Sequence, residues 1–277
     1  MRLGVVSDSH LSPPGTPPGV WHNELDYDRA EERLELALDF LRGRGVEAIA
    51  MLGDLTNFGD EASIDRAVSV LAAAGVPVLV VPGNHDCELG IAEFRAHVDR
   101  LGAPDVTMIA SARKVGGLRF VGLTDLTFDD DGRLLIPDME SGGRGDEPVV
   151  VLSHFPLLDR RAATEAAGWK YAGGFRDLGA ARRLLDRDGP AIVLHGHLHV
   201  RDAAMDGKVL QITCASLIEP PHEASIVEIV PSQDGLQVSV EHVAVAESDV
   251  PLPVLTGTHA TWTFDGAGWT ADLAVRA

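Results

Sequence analysis

Five short blocks stand along the chain in an order that suits metal chemistry: Asp8-Ser9-His10, Gly53-Asp54, Gly83-Asn84-His85-Asp86, a lone His154, and Gly196-His197-Leu198-His199. Aspartates bring negative charge, histidines suit transition metals, and Asn84 adds a neutral oxygen. A dinuclear centre needs one ligand that touches both ions, several nitrogen donors, and open positions for water and substrate. These blocks supply those ligand types. No cysteine is among them, which argues against a structural thiolate zinc site. Metal-assisted hydrolysis of a phosphoester is the chemistry that such a set supports best.

Spacing strengthens the last block. Two histidines two residues apart in extended backbone point the same way, so His197 and His199 can each reach a different ion of a pair roughly 3.5 to 4 Å apart. Gly196 allows close backbone approach, and His195 points to the opposite side. Taken singly, an Asp-x-His or a Gly-Asp is most often a solvated turn. Their joint order, each at the end of an apolar run, is what carries the reading.

The elements that must position these residues follow from periodicity. Arg2 to Val6, Val46 to Leu52 and Val76 to Val81 read as strands. Between them, Tyr27 to Leu41 carries Ala30, Leu34, Ala37, Leu38 and Leu41 at helical spacing, stopped by Gly43 and Gly45. Glu61 to Ala74 is a second helix closed by Gly75. Such alternation implies parallel strands with crossover helices. Further along, Leu89 to Leu101 reads as a helix, and Leu118 to Leu123, Pro148 to Leu152 and Ala191 to Leu194 as buried strands, with a helix over Asp177 to Leu185. From Val209 onward the pattern is of strands alone, with Ile226 to Val230 and Leu236 to Val240 joined as a hairpin through residues 231–235. Residues 12–26 and 155–176 read as irregular loops that border the site. Ligands in open α/β sheets gather beyond the carboxyl ends of the strands, which is where every block falls.

Bulk properties narrow the partners. The chain has 277 residues, 45% of them hydrophobic, enough for one large core. The reading is one domain over residues 1–245 and a tail over 246–277 that forms a β-hairpin on the domain or at a subunit contact. A formal net charge of −19 repels phosphate backbones and disfavours a duplex nucleic-acid partner. Two cysteines, Cys87 and Cys214, make no disulfide framework. No apolar stretch is long enough for a membrane span, and the first residues lack the pattern of a signal peptide. These features point to the cytoplasm, with no membrane partner. Apolar residues near the tail leave room for a homodimer.

The ordered blocks resemble the calcineurin-like metallophosphoesterase superfamily, whose pattern is D-x-H, G-D, G-N-H followed by Asp or Glu, H, and G-H-x-H. The match spans residues 8 to 199. The resemblance implies a four-layer αββα sandwich of two mixed β-sheets flanked by helices. It also implies a ligand set: Asp8, His10, Asp54 and His199 on one ion, and Asp54, Asn84, His154 and His197 on the other, with Asp54 as the bridge. The cofactors would be two transition-metal ions drawn from Mn, Fe, Zn and Co. His85 matches the histidine that contacts the substrate phosphate or protonates the leaving oxygen, and Asp86 is read as the carboxylate that orients it. Such ions lower the pKa of a bound water to roughly neutral, giving a hydroxide for in-line attack on phosphorus.

Within the superfamily, Gly53-Asp54-Leu55-Thr56-Asn57 and Gly83-Asn84-His85-Asp86 resemble the cyclic-nucleotide phosphodiesterase-like branch more than the protein phosphatases. Asn57 and Phe58 stand where the latter carry Asp-Arg. The expected activity is therefore a phosphodiesterase on small organic or nucleotide phosphates. Two alternatives stand beside it: a phosphomonoesterase or nucleotide pyrophosphatase, and a non-catalytic metal-binding scaffold. Trp21, His22 and Tyr171 are candidate walls for an aromatic group, weighed evenly against a role in pinning their own loops.

Overall fold

Parallel strands covered on both faces must be apolar on both faces, and the apolar runs of this chain are used in that way. The computed structural model describes residues 1–88, 90–109, 112–124, 126–128, 134–135, 147–179, 185, 189–232 and 235–272. An eight-stranded sheet has the order Trp269–Ala271, His259–Phe264, Gly235–Ala244, Glu223–Ser232, Arg2–Val6, Ala48–Leu52, Val78–Val81 and Val106–Met108. Its last four strands run parallel, and the others pair antiparallel. A six-stranded sheet has the order Asp202–Asp206, Val209–Thr213, Ala191–His195, Val149–Leu152, Leu118–Gly122 and Arg113–Val115. It is parallel at its centre and antiparallel at both edges.

The two sheets pack face to face. In the first sheet Leu3, Val5, Ala48, Ala50 and Leu52 point toward the second, while Val6, Ile49 and Met51 point toward the helices Ala30–Gly43, Glu61–Ala72 and Ile91–Arg100. The second sheet alternates in the same way. Val150, Leu152, Ile192 and Leu194 face the first sheet, and Val149, Val151, Ala191 and Val193 face outward to Phe155, Leu157, Phe175 and Leu185. This is the expected architecture of two mixed sheets with helices.

Element boundaries differ from the sequence reading by a few residues, each for a local reason. The first helix is preceded by a 3-10 turn over Tyr27–Arg29. Asp60 caps the second helix by accepting from the Ser63 N–H at 3.0 Å. The late hairpin is longer than its apolar core, since Glu223–Ser232 pairs with Gly235–Ala244 along its whole length. Several elements were not expected: the strands Val106–Met108, Arg113–Val115 and Asp202–Asp206, which close sheet edges, the two-stranded pair Thr127–Phe128 with Leu134–Leu135, and, within stretches read as loop, the pair Gly19–Val20 with Glu24–Leu25 and the short helix Arg161–Ala166. Most of the helix expected over Asp177 to Leu185, and the turn residues 233–234, lie outside the described residues. Beyond residue 245, His259–Phe264 and Trp269–Ala271 extend the first sheet and bring Trp262, Phe264 and Trp269 into the core between the sheets. Among the described residues no helix is long and apolar enough to cross a membrane.

Register decides where the chemistry emerges. Val6 lies beside Met51, Leu52 beside Val81, and Leu152 beside Leu194, so within each sheet the parallel strands end near one level. The loops that follow stay zipped together. The Asp8 N–H donates to Gly53 O at 3.1 Å and the His10 N–H to Asp54 O at 2.9 Å. In the second sheet, the Gly196 N–H donates to His154 O at 3.2 Å.

Leu52 is fully buried between the sheets, one residue before Gly53. Leu52→Ala should lower unfolding free energy by about 2–5 kcal/mol, read as a shift of the urea midpoint with an unchanged slope.

Candidate metal centre

The ligand candidates sit on strained backbone. Asp8, His10, Asp54, His197 and His199 all have φ between 48° and 66°, in the left-handed region. Among the described non-glycine residues, only His222 shares that sign. Neither Asp nor His adopts this conformation freely, and the cost is roughly 1–2 kcal/mol per residue. Such a concentration of outliers marks a functional site. Two glycines make the crowding possible. A methyl group at Gly83 would overlap the Asp54 carboxylate, and one at Gly196 would collide with Ser7 Oγ and the Asp8 carboxylate.

The side chains converge in two groups. Asp8, His10 and His199 place one donor atom each within 4.8 Å of one another, and so do Asp54, His154 and His197. The groups touch, since His10 Nε2 lies 3.6 Å from Asp54 Oδ2. Asn84 joins the second group, with its Oδ1 3.2 Å from His154 Nε2. All seven sequence-predicted ligand candidates therefore lie in one neighbourhood.

Histidine orientation is the test of whether a metal fits. Each of the four imidazoles is held from outside by one ring nitrogen and turns the other inward. His154 Nδ1–H donates to Leu52 O at 2.8 Å, and its Nε2 lies 3.2 Å from Asp54 Oδ2. His199 Nδ1–H donates to Glu219 Oε2 at 2.8 Å, and its Nε2 lies 3.3 Å from Asp8 Oδ1. His197 Nε2–H donates to Gly173 O at 3.1 Å, leaving Nδ1 3.2 Å from His154 Nε2. His10 Nδ1 lies 3.3 Å from Asn57 Oδ1, and its buried Nε2 has no hydrogen-bond partner. An orphaned buried nitrogen is costly, and nitrogen lone pairs aimed at shared carboxylates are what a metal requires. The residues fit two ions.

Electrostatics agree. Burial raises the pKa of Asp8, but His199 and His154 outweigh it and bring it down to about 2. Asp54 is likewise pushed up by burial and held well below the usual carboxylate range by His154 and His10. Burial lowers His154 and His199, yet the facing carboxylates hold them up at about 9 and about 10. Burial brings His10 down to about 4 and, with the charge of His154, His197 to about 3. Divalent cations compete with protons for the same pull of the carboxylates.

His85 stands at the rim, half-buried, with its ring 4.8 Å from that of His10. Its Nδ1–H donates to Asn57 O at 2.8 Å, and its backbone N–H donates to Asp54 Oδ1 at 2.9 Å. The expected pairing of Asp86 with His85 does not form. Asp86 turns the other way and accepts from the N–H groups of Leu55, Thr56 and Gly83 and from the Thr56 hydroxyl, at 2.8 to 3.1 Å. It locks the Asp54 loop to the Asn84 loop, so its geometry is that of a brace. Burial and the neighbouring charge of Asp54 push its carboxyl up to about 6, against those hydrogen bonds.

Glu219 was missed. It is fully buried, orients His199, and also accepts from the Asn23 N–H. A lone Glu before two prolines carries no spacing signal, so only the folded chain reveals it. His195 lies outside the centre, bonded to Gly196 O and Thr213 Oγ1. Tyr171 stacks against the Arg161 guanidinium at 4.6 Å, and Arg160 forks onto Asp202. Burial raises the pKa of the Cys87 thiol and brings that of Cys214 up to about 12, which suits packing rather than nucleophilic attack.

Comparison with known proteins bears on this centre. The model of the calcineurin-like phosphoesterase family matches residues 1–201. A dimetal phosphatase from Danio rerio shares the fold with a TM-score of 0.62, at 17% identity over 89% of this chain and 96% of that one. A protein from Thermus thermophilus gives 0.55, at 14% identity over 88% of this chain and 99% of that one. A purple acid phosphatase from yellow lupin seeds gives 0.55, at 13% identity over 91% of this chain and 53% of that one. No curated protein sequence matches.

Two substitutions check the centre. Glu219→Gln should weaken metal binding by about 10–100-fold, measured by competition with a chromophoric chelator. Gly196→Ala should lower stability by about 1–3 kcal/mol and also displace Asp8, so that metal stoichiometry falls together with the melting temperature.

Proposed function

The chain belongs to the calcineurin-like phosphoesterase family, and from that premise we propose that it is a phosphodiesterase acting on small organic or nucleotide phosphates. Membership makes it a metal-dependent hydrolase of phosphoesters. The finer assignment is supported by Asn57 and Phe58 standing where protein phosphatases carry Asp-Arg, and by a cavity open to small molecules above the centre. The observation that carries the reading is the inward turn of four imidazoles: His10, His154 and His199 onto Asp54 or Asp8, and His197 onto His154 Nε2.

In this reading Asp8, His10, Asp54 and His199 would hold one ion, and Asp54, Asn84, His154 and His197 the other, with the metals drawn from Mn, Fe, Zn and Co. When bound, such ions supply an acidified water and neutralise charge on the phosphoryl oxygens. The protein does the rest. Leu52 O, Glu219, Gly173 O and Asn57 fix the imidazoles, so little reorganisation accompanies reaction. His85, with Nδ1–H committed to Asn57 O, has Nε2 left to contact the phosphate or to carry a proton to the leaving oxygen. Asp86 acts on it indirectly, by bracing the two loops. The unpaired Cys87 and Cys214 suit a reducing compartment such as the cytoplasm, and exposed Val250 and Leu252 suit a homodimer contact.

Turnover of a bis-ester and its mono-ester by protein reconstituted with Mn²⁺ tests the assignment, with the bis-ester expected to react faster. His85→Ala should lower kcat by about 10²–10⁴-fold while metal content stays at two ions. Faster turnover of the mono-ester would reassign the enzyme as a monoesterase. A fully metallated protein inert on every ester would make it a binding scaffold.

A further inference from the structure

The metal centre forms only one side of the cavity above it. The space is about 460 Å³, that of roughly fifteen waters at about 30 Å³ each, far more than the five heavy atoms of a phosphate occupy. Opposite the ligands stand Gly19, Val20, Trp21, Leu25 and Tyr27. None of them has a part in the centre, and Val20, an apolar side chain, is 72% exposed there.

This wall is built to hold its place. Gly19–Val20 and Glu24–Leu25 pair antiparallel, and the Trp21 N–H closes the turn onto Asn23 O at 3.0 Å. Lys170 Nζ donates to Trp21 O at 2.6 Å and lies 5.0 Å from the centre of the Trp21 ring. His22 Nε2 bonds Leu198 O at 2.9 Å, between the two ligand histidines. The Asn23 N–H donates to Glu219, the same carboxylate that orients His199. The turn is thereby tied directly to Leu198, between His197 and His199, and through Glu219 to the His199 side chain. A pocket wall anchored to the reacting centre fixes the distance between the phosphoryl group and whatever the wall receives.

We propose that the wall receives a planar aromatic ring carried by the organic part of the substrate, with Trp21 as the specificity-determining residue, so that the preferred esters are nucleotide-like. The inference rests on the phosphoesterase reading above. Trp21 and Tyr27 both line the cavity. An aromatic lining receives a ring without ordering a flexible chain, and stacking on such a lining is tolerant of which base is presented. The wall thus selects for a ring, and the metal centre for the phosphate.

The test is calorimetric binding to the Mn²⁺-loaded protein, using adenosine 5′-monophosphate, ribose 5-phosphate and octyl phosphate. The nucleotide should bind about tenfold more tightly than the sugar phosphate. Trp21→Leu should bring that ratio close to one at unchanged metal content, and Trp21→Phe should keep most of it. Equal affinity of the native protein for nucleotide and sugar phosphate would overturn the proposal, as would octyl phosphate binding more tightly than the nucleotide, or a ratio unmoved in Trp21→Leu. The native ratio needs no variant, so a substituted chain that fails to fold leaves the test intact. Turnover on the same samples separates the two readings. Ester hydrolysis without preference for the base removes the wall alone, whereas base preference without hydrolysis of any ester removes the hydrolase reading alone.

Discussion

Two carboxylates held out of water, Asp8 and Asp54, set the terms for this molecule. Both are essentially buried, and removing an ion from water costs several kcal/mol even after relaxation. That is tolerable only where opposite charge or aligned donors stand close by. Most donors here come from other loops: His197, beside the neighbouring Ser7, for Asp8, and His85 and His154 for Asp54. No single segment could supply them. The architecture follows from this need, since only sheets whose parallel strands end at one edge can bring residues 8, 54, 84, 154 and 197 together. The left-handed backbone at five ligand candidates is a further cost, offset by the cores on both faces of each sheet.

This dependence explains what could be read before folding. The runs Arg2–Val6, Ala48–Leu52, Val78–Val81, Val149–Leu152 and Ala191–His195 are apolar on both faces, a pattern that specifies strand and burial together. Because each ends directly at a polar block, the sequence carries strand and ligand as one unit. The polar edge strand Asp202–Asp206 lacks that signature. Its sequence is DAAMD, with two half-exposed alanines and an exposed methionine, and it becomes a strand only because Val209–Thr213 offers it a partner. Tertiary pairing decides such segments, and their composition does not.

Side-chain partners were less legible than ligands, and Asp86 shows why. Next to His85 in sequence, it suggested a carboxylate–imidazole pair. In the folded chain the 3-10 turn His85–Cys87 sends the two neighbours in different directions, and the carboxylate meets four donors from loops 55–56 and 83. Glu219 is the converse case, remote in sequence from His199 yet bonded to it and to the Asn23 backbone. Ligands obey the chemistry of the ion and so repeat recognisable types at recognisable spacings. The groups that orient them need only be acceptors at the right distance, whether a carbonyl, an amide or a carboxylate, and residue type says little about which will serve.

The acidity of the chain has to be reconciled with an anionic substrate. A net charge of −19 creates a repulsive field, but at physiological ionic strength that field decays over about 8 Å. A polyanion long enough to track the surface meets repulsion along its whole length. A small phosphoester feels chiefly the nearest groups, which in the cavity are Asp54 together with His10, His85, His197 and His199, where bound cations would offset the carboxylate charge. Lys170, bonded to Trp21 O, adds positive charge beside the Trp21 turn. Under the proposed function, such a charge distribution would disfavour a duplex and leave the selection among small phosphoesters to the shape of the cavity.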